Sequence, residues 1–468
     1  MFKFVIALFL LGSMRTSYSD NQTPDISQVL PPDSLPFEVS IELADFSLPQ
    51  GLQSFALGRY KDKCLLITGR VNGLHGFGPG NDNFLPNKQN TTVFVVDLKN
   101  QKVYQRSLLD ENSNLTQEQV DSLSVTSPQY AQVNNTLYIV GGYGVETLTG
   151  QFSTKQTLTA IDLPGLIKWV QNPEKKGTAK KHIRQIFHPV FQVAGGYLDQ
   201  MQPHDPFLLI FGQDFEGFYS DGSSGVYTQQ VRSFDFFDNG EHLAVGSIKY
   251  KAQNSNYRRR DLNVIPIVQK QGKNYVESFM ALSGVFTETG GGWTVPVFID
   301  LKGNSFMPNP SDPKTFKQGM NNYASAHTEF FSKKTGTMYT LLLGGIGYQT
   351  CSNGLCTQDA ELPFTNNVTS LSIKNDQVKQ YLMQAEYPFI PSTFSNPGNA
   401  LLFGTGAIFA SFHNFPTFPK GAISIDDIKK DSLVGYIIGG IQSTLPNTNV
   451  PTDSAASPYI FKVFIKPK

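Results

Sequence analysis

The chain has 468 residues, of which 40% are hydrophobic and 16% charged. This composition supports a large buried core and excludes an extended disordered chain. The 38 basic residues balance the 38 acidic residues, which excludes the overall basic surface of a nucleic-acid-binding protein.

The first residues have the pattern of a secretory signal peptide. Lys3 supplies a positive charge, Phe4 to Leu11 form an apolar stretch too short to span a bilayer, and small residues precede a cleavage position before Asp20. We therefore expect residues 1–19 to be removed and the chain to be secreted or periplasmic. The alternative is a buried N-terminal strand. Further along, no apolar run is long enough for a membrane helix, so no membrane span is expected in the mature chain.

An apolar strand that ends in glycine recurs along the chain, as in "CLLITGR", "LYIVGGYG" and "TLLLGGIG". The repeats lie 60 to 95 residues apart, and their landmark glycines are Gly69, Gly141, Gly212, Gly284, Gly344 and Gly439. Self-similarity at such a period is the signature of a repeat architecture. The 41 glycines, 28 prolines and 36 phenylalanines favour short strands and turns over helices.

Each landmark strand has one strand-like segment before it and another after it, and tight Asn/Gly turns such as "KNQK" and "DNGE" lead to a fourth. Four antiparallel strands in each of six units predict an all-β, six-bladed β-propeller over residues 35–468. The sixth unit ends at its third strand. We therefore expect the strand-like stretch Leu35 to Phe46 to complete that blade and close the ring, with residues 20–34 as a linker before it.

With its six-fold repetition and its diglycine steps, Gly141-Gly142, Gly344-Gly345 and Gly439-Gly440, the chain resembles the kelch family of β-propellers, which includes the central domain of galactose oxidase. The resemblance covers roughly residues 35–468. Three copies keep only one glycine, and the Tyr and Trp that usually follow the diglycine are missing. The family contains partner-binding proteins, a copper–radical sugar oxidase and a sialic acid mutarotase, so the resemblance implies a propeller without choosing a function.

Most of the long loops are predicted on one face of the disc. In a propeller, the connections from second to third strand share one face with the connections between blades. Here the second-to-third connections are long, whereas most other turns are short. Long loops on a rigid scaffold are where binding sites usually occur. The ligand-binding residues predicted on this face are Arg70, His75, Asp82, Asn83, Tyr143, Asp214, Glu216, Tyr219, Glu288 and Tyr348.

The first of these loops begins with the glycine-rich stretch "GRVNGLHGFGPGNDN". A dinucleotide or phosphate loop would open a helix after a strand. This stretch leads into another strand, "TVFVVDL", and carries no Gly-Lys-Ser/Thr. Its glycines therefore indicate tight loop geometry.

The three cysteines predict one disulfide and one buried thiol. In an exported chain "CSNGLC" is expected to join Cys351 to Cys356, and Cys64 lies within an apolar strand. The alternative for the pair is half a zinc site, but no second Cys or His pair at zinc spacing accompanies it. We expect no metal and no cofactor.

Two basic clusters, Asn172 to Arg184 and Arg258 to Arg260, are assigned to connections between units. They are expected to be solvated segments. The sequence carries no serine-hydrolase elbow, and it favours a binding module over an enzyme. The expected ligand is a protein or a glycan, bound by a monomer on the long-loop face. The alternative is a carbohydrate-active enzyme, such as a mutarotase, lyase or oxidase-like protein, that uses the central depression.

Overall fold

The structure, a computed structural model, describes residues 24–468 except 77, 79–82, 176, 221–222, 224, 273, 353–354 and 413–414. The predicted signal peptide and Asp82 lie outside the described residues. Six sheets, each with four antiparallel strands, form a six-bladed β-propeller, as predicted; one of them is extended by a short fifth strand that pairs in parallel. Among the described helices, none is long and apolar enough to cross a membrane.

The first three blades follow one another along the chain. The N-terminal strand is β1 (Phe37–Leu43), and blade one contains β2 (Ala56–Tyr60), β3 (Lys63–Ile67), β4 (Thr92–Asp97) and β5 (Lys102–Ser107). Blade two contains β6 (Gln129–Val133), β7 (Thr136–Val140), β10 (Thr157–Asp162) and β11 (Ile183–Phe187), with the ribbon β8 (Tyr143–Val145) and β9 (Phe152–Thr154). Blade three contains β12 (Tyr197–Asp199), β13 (Phe207–Ile210), β16 (Val231–Asp238) and β17 (Leu243–Tyr250), with the ribbon β14 (Gln213–Asp214) and β15 (Val226–Tyr227).

The remaining blades complete the ring. Blade four contains β18 (Val264–Gln271), β19 (Asn274–Ala281), β20 (Val297–Ile299) and β21 (Ser305–Phe306). Blade five contains β22 (Ala326–Ser332), β23 (Thr337–Ile346), β26 (Phe364–Lys374) and β27 (Gln377–Glu386), with the ribbon β24 (Gln349–Ser352) and β25 (Leu355–Gln358). Blade six contains β28 (Ile408–Ser411), β30 (Ser432–Ile438), β33 (Ile460–Pro467) and β1, with the ribbon β31 (Ile441–Ser443) and β32 (Ser454–Ala456); β29 (Ile423–Ser424) pairs with β22.

Helices are short and lie in connections. They are α1 (Gln117–Asp121), α2 (Leu163–Gln171) and the 3-10 turns Pro32–Ser34, Pro86–Lys88, Glu111–Ser113, Ala179–His182, Pro189–Phe191, Ser255–Tyr257, Pro419–Gly421, Ile425–Asp427 and Pro451–Asp453.

The core is divided into six apolar clusters, one between each pair of neighbouring blades. Alternation along the strands explains this division, because successive side chains point to opposite faces of a sheet. In β3, Leu65 and Ile67 pack toward blade two, whereas Cys64 and Leu66 pack toward blade six. Both faces of each blade are buried, so the central strands are almost continuously apolar.

The N-terminal strand closes the ring, as predicted. Strand β1 pairs with β33 from Phe37 opposite Pro467 to Leu43 opposite Phe461. Phe37 is fully buried in the cluster between blades five and six. The preceding residues 24–34, predicted as a linker, lie along blade five, where the amide of Leu30 donates to the carbonyl of Gln380.

A ring of backbone hydrogen bonds narrows the central channel. Just before each first strand, one amide donates to the carbonyl of the equivalent residue one blade earlier, at 2.7–3.3 Å; the six residues are Ser54, Ser127, Gly195, Asp261, Ala324 and Gly406. Hydrogen-bonded strands lie about 5 Å apart. A six-membered ring at that spacing has a radius of about 5 Å, most of which backbone atoms fill. The channel is therefore constricted at the end where the first strand of each blade begins.

Three sequence assignments were wrong. The cluster Arg258 to Arg260 was expected to be solvated, but Arg259 is fully buried. The basic segment Asn172 to Arg184 does not join two units, because it follows α2 within blade two and ends in the first two residues of β11. Burial of Leu166, Ile167 and Trp169 against blades one and two stabilises that helix. Each landmark strand was expected to follow a strand-like segment, and before the third landmark strand that segment is "VFQVAG". It contains the 3-10 turn Pro189–Phe191, and β12 begins only at Tyr197.

Candidate functional site: the loop face and the channel

We use "loop face" for the side of the disc that carries the second-to-third and inter-blade connections, and "turn face" for the opposite side. Four of the long connections fold back as the two-stranded ribbons β8–β9, β14–β15, β24–β25 and β31–β32. A small apolar cluster of Tyr143, Phe152 and Phe215, with Phe84 and Tyr219 against it, joins the connections of blades one to three. Over blades one to three, the connections of the loop face therefore pack against one another.

Most of the predicted ligand-binding residues lie together over blades one to three. The ring centroid of His75 is 4.8 Å from that of Phe84 and 4.5 Å from that of Tyr219. Tyr143 donates from its hydroxyl to the carbonyl of Gly217 at 2.7 Å. Asn83 donates from Nδ2 to the carbonyl of Tyr219 at 2.9 Å. These side chains hold the connections to one another.

Two arginines approach this group. The Arg70 guanidinium lies 4.1 Å from the Phe84 ring centroid, and that of Arg260 lies 5.9 Å from the Tyr219 ring centroid. Burial lowers the pKa of His75 to about 3, and the charges of Arg70 and Arg260 act in the same direction. His75 is therefore neutral at physiological pH, and the positive charge belongs to the arginines.

Asp214 and Glu216 form an acidic pair beside this group. Gln192 donates from Nε2 to Asp214 Oδ1 at 3.1 Å and to Glu216 Oε1 at 2.8 Å. Burial raises the pKa of both carboxyls, and the charge of Asp214 raises that of Glu216 further. Glu216 is exposed. The pair can accept hydrogen bonds from a ligand at the edge of the loop face.

The other two predicted residues lie apart from the first group. The Tyr348 hydroxyl accepts from the amide of Gly292 at 2.6 Å and donates to its carbonyl at 3.1 Å, beside a cavity of about 320 Å³ between the connections of blades four and five. Glu288 is exposed on the same blade-four connection. The predicted set therefore forms two patches.

The sequence reasoning missed a ring of exposed apolar side chains. Every second-to-third connection places at least one large apolar residue in solvent on the loop face: Leu85 (41% exposed), Leu148 (88%), Phe218 (42%), Val226 (76%), Phe286 (37%), Leu355 (77%) and Val450 (47%). The sequence did contain a signal for these exposed side chains. They are apolar residues within polar, glycine-containing segments such as "TLTG" and "NGLC".

The cysteines fall where the sequence placed them. A disulfide joins Cys351 to Cys356, which are directly opposite in the β24–β25 ribbon, and Leu355 is at its tip. Cys64 is a buried free thiol, and burial raises its pKa to about 12. A thiol with so high a pKa is not a nucleophile at neutral pH.

The central channel holds a cavity of about 660 Å³, lined by the first strands of all six blades. Toward the turn face its wall carries charged groups. Lys420 forms an ion pair with Asp199, which also accepts from the Tyr197 hydroxyl at 3.1 Å. His327 Nδ1 lies 2.6 Å from Glu329 Oε1. Burial raises the pKa of Asp199, and Lys420 opposes this shift.

Lys420 reaches the channel from the first-to-second connection of blade six. This connection crosses the turn face, where the ring centroid of Phe418 lies 4.9 Å from that of Phe331 and β29 pairs with β22. The polar end of the channel therefore lies on the opposite face from the predicted ligand-binding residues. No cluster of three or more His, Cys, Asp or Glu that could hold a metal occurs among the residues that the structure describes.

No protein-family model matches the chain, and no curated protein matches it. Among solved structures, one titled "Structure of YjhT" is similar over 90% of this chain and 98% of that chain, at 10% identity and a TM-score of 0.43. A similarity at this identity and TM-score gives no argument about the function of the chain.

Proposed function

We propose that the chain is a kelch-like propeller that binds a protein partner through its loop face and is exported by the signal peptide at residues 1–19. One observation carries the proposal: all six second-to-third connections present an exposed large apolar side chain on the same face. Long loops on a rigid scaffold are where binding sites usually occur, and exposed apolar side chains on every such loop favour an interaction surface there. The branched aliphatic residues Leu148, Val226 and Leu355 favour a protein over a glycan.

The rigidity of the ribbons supports the same proposal. A pre-organised surface loses less conformational entropy on binding than flexible loops do. The aromatic packing of Tyr143 on Phe152 and Phe215, with centroids 5.6 and 5.5 Å apart, fixes the blade-two and blade-three ribbons. The acidic pair Asp214 and Glu216 supplies polar contacts at the edge of the apolar surface.

A second candidate is a carbohydrate-active enzyme that uses the channel cavity. The observation in its favour is the group of two carboxylates, a histidine and a lysine at the turn-face end, namely Asp199, Glu329, His327 and Lys420. Paired carboxylates in different environments are typical of acid–base chemistry. Here each carboxylate already has a partner within the chain, so the binding function is favoured.

The test uses protein and glycan arrays probed with the mature chain and with two triple variants. The first variant, Leu148→Ser, Val226→Ser and Leu355→Ser, removes apolar side chains from three ribbons. The second, called the outer-strand variant, is Phe187→Ser, Phe237→Ser and Phe306→Ser. It removes three similarly exposed side chains from the fourth strands of blades two and four and from the third strand of blade three.

We expect partners that bind the mature chain and the outer-strand variant but lose at least tenfold in affinity for the ribbon variant. Equal binding by all three proteins would contradict the proposal. Binding confined to glycans, with chemical change in the bound sugar, would support the enzyme instead.

A further inference from the structure

The connection between β28 and β30 of blade six, called the blade-six connection below, lies at the turn-face mouth of the channel. Its strand β29 pairs in parallel with β22 and is the innermost strand of that sheet, next to the first strand of blade five. First strands line the channel cavity. The blade-six connection therefore lies on the channel side of blade five and narrows the mouth there.

The part of this connection that follows its tip is anchored to blade five. Ala422, Ile423 and Ile428 are buried in the two clusters that contain residues of blade five. The hydroxyl of Ser332 donates to Oδ1 of Asp426 at 2.9 Å. These contacts fix the position from which the tip, Phe418 to Gly421, reaches over the cavity.

The tip joins two blades on opposite sides of the ring. Phe418 packs on Phe331 of blade five, and the ammonium of Lys420 forms its ion pair with Asp199 at the end of the first strand of blade three. Both Lys420 and Gly421 line the cavity. The ion pair thus holds the tip across the channel mouth.

The backbone of Lys420 is strained in this position. Its φ of 59° and ψ of 26° lie in the left-handed region, which a residue with a Cβ adopts only at a cost in free energy. The ion pair with Asp199 offsets this cost. Release of the pair would allow Lys420 to relax, so the position of the tip depends on the pair.

Asp199 is a carboxylate that requires a cation. Its Oδ1 accepts from the amide of Gln200 at 2.9 Å, and its Oδ2 accepts from the hydroxyl of Tyr197 at 3.1 Å. A buried carboxylate is costly unless its charge is paired. An ammonium has three N–H donors, and among the described residues that of Lys420 uses one of them, on Asp199. A ligand ammonium could make the same contact.

A second carboxylate lies close to the first. Burial raises the pKa of Tyr197, and the charges of Asp199 and Glu329 act in the same direction, which indicates that both carboxylates lie near the Tyr197 hydroxyl. His327 Nδ1 is 2.6 Å from Glu329 Oε1. The wall of the cavity therefore presents two carboxylates and a hydroxyl from blades three and five.

The remaining cation of the described cavity wall does not neutralise this group. It is Arg59 of blade one. Burial lowers the pKa of Arg59, and the carboxylate that opposes this shift is Asp62 of the same β2–β3 hairpin. Without Lys420 the wall around Asp199 would be acidic, and an acidic cavity wall favours a cationic ligand.

We infer that the channel cavity binds a short organic diamine, with one ammonium on Asp199 and the other toward Glu329, and that Lys420 takes the place of the first ammonium when the ligand is absent. A cavity of about 660 Å³ has the size of a small-molecule site. Lys420 is then an internal competitor, which weakens the apparent affinity by the fraction of chains whose tip has left Asp199. The site goes beyond the proposed function, because it lies on the other face of the disc.

The experiment measures the Kd of 1,4-diaminobutane by isothermal titration calorimetry, with 1,4-butanediol as the uncharged probe of the same length. We expect Lys420→Met to bind the diamine about tenfold or more tightly than the wild-type mature chain, because the competitor is removed. Methionine is similar in length to lysine, so the substitution leaves little new space. The double variant Lys420→Met, Asp199→Asn should lose this gain.

The control Lys429→Met removes an exposed lysine from the same connection and should keep the wild-type affinity. A second measurement needs no substitution: hydrogen–deuterium exchange of the wild-type mature chain with and without saturating diamine. We expect faster exchange at residues 418–421 with the diamine, because the tip leaves Asp199.

Three results would overturn the inference. They are the absence of diamine binding in both the wild type and Lys420→Met, equal affinity in Lys420→Met and the double variant, and unchanged exchange at residues 418–421 in the wild type. Binding of the diol as tightly as the diamine would also contradict it, since the charges would then not matter. Failure of this test leaves the array test intact, because the two use different faces and different probes.

Discussion

Two buried arginines, Arg259 beside blade four and Arg70 in blade one, have opposite surroundings. Arg259 is fully buried and donates to the carbonyls of Asn256, Leu282 and Ser283 at 2.8–3.2 Å. Arg70 is buried almost as completely, but its Nε and Nη2 atoms have no hydrogen-bond partner among the residues that the structure describes. The same residue type is therefore held by backbone hydrogen bonds in one region and by packing against the Phe84 ring in the other.

Removal of β1, the strand that closes the ring, is expected to reduce the stability of the fold more than any substitution below. Deleting residues 20–46 removes β1, leaves β33 with an unpaired edge, and exposes the cluster around Phe37. We expect the truncated chain to lose cooperative unfolding, as measured by calorimetry. Deleting only residues 20–34 is the control and should preserve one cooperative transition. A deletion of residues 20–46 that melts like the full mature chain would show that β1 does not close the ring.

Arg259→Met tests the scaffold side of the arginine comparison. The substitution removes the donor from the two buried carbonyls of Leu282 and Ser283 and from one partly buried carbonyl. It also removes the guanidinium from the Trp293 ring, 4.6 Å away. The free energy of unfolding is expected to fall by about 3 kcal/mol, measured from denaturant midpoints beside Arg70→Met. If Arg259→Met and Arg70→Met changed stability by the same amount and sign, the distinction between the two arginines would disappear.

Lys420→Met extends the comparison to a cation that has a carboxylate partner, Asp199. Lys420 neutralises Asp199 at the turn-face end of the channel, so its removal leaves a buried carboxylate with the Tyr197 hydroxyl and the amide of Gln200 as its donors. We expect a loss of about 1–2 kcal/mol in stability, partly restored by the double variant Lys420→Met, Asp199→Asn. An unchanged denaturant midpoint for the single variant would show that the ion pair does not contribute to the fold.

The smallest effect is expected at the Cys351–Cys356 disulfide. It closes one ribbon of the loop face and no contact between blades. Replacing both cysteines by serine should leave the propeller within about 1 kcal/mol of wild type and speed amide exchange only around residues 349–358. Faster exchange throughout blade five would show that the disulfide stabilises the whole blade and not only its ribbon.

The fold was predictable because it depends on local pattern. Strand alternation at Cys64 to Ile67 and the recurring landmark glycines are visible in the residues themselves, and the missing fourth strand of blade six pointed to Leu35 to Phe46. Helix α2 was missed because burial of Leu166, Ile167 and Trp169 against neighbouring blades stabilises it. That contact has no signature in the repeat.

The site was only partly predictable, because it depends on contacts distant in sequence. Arg70, Tyr143 and Tyr219 were chosen by their position after landmark glycines or in long loops, and the structure does bring them together. The ion pair between Lys420 and Asp199 spans 221 residues, so no sequence spacing indicated it. Arg70 and Gln89 have buried side-chain atoms without hydrogen-bond partners within the described part of the chain, which is a property of the folded structure and not of the sequence pattern.

The most direct test of the account is hydrogen–deuterium exchange of the mature chain with and without a protein partner selected on the array. We predict protection on the loop-face ribbons, in residues 143–154, 213–227, 349–358 and 441–456. Protection confined instead to the turn-face end of the channel, at residues 197–199, 327–329 and 418–421, would contradict the loop face as the binding surface.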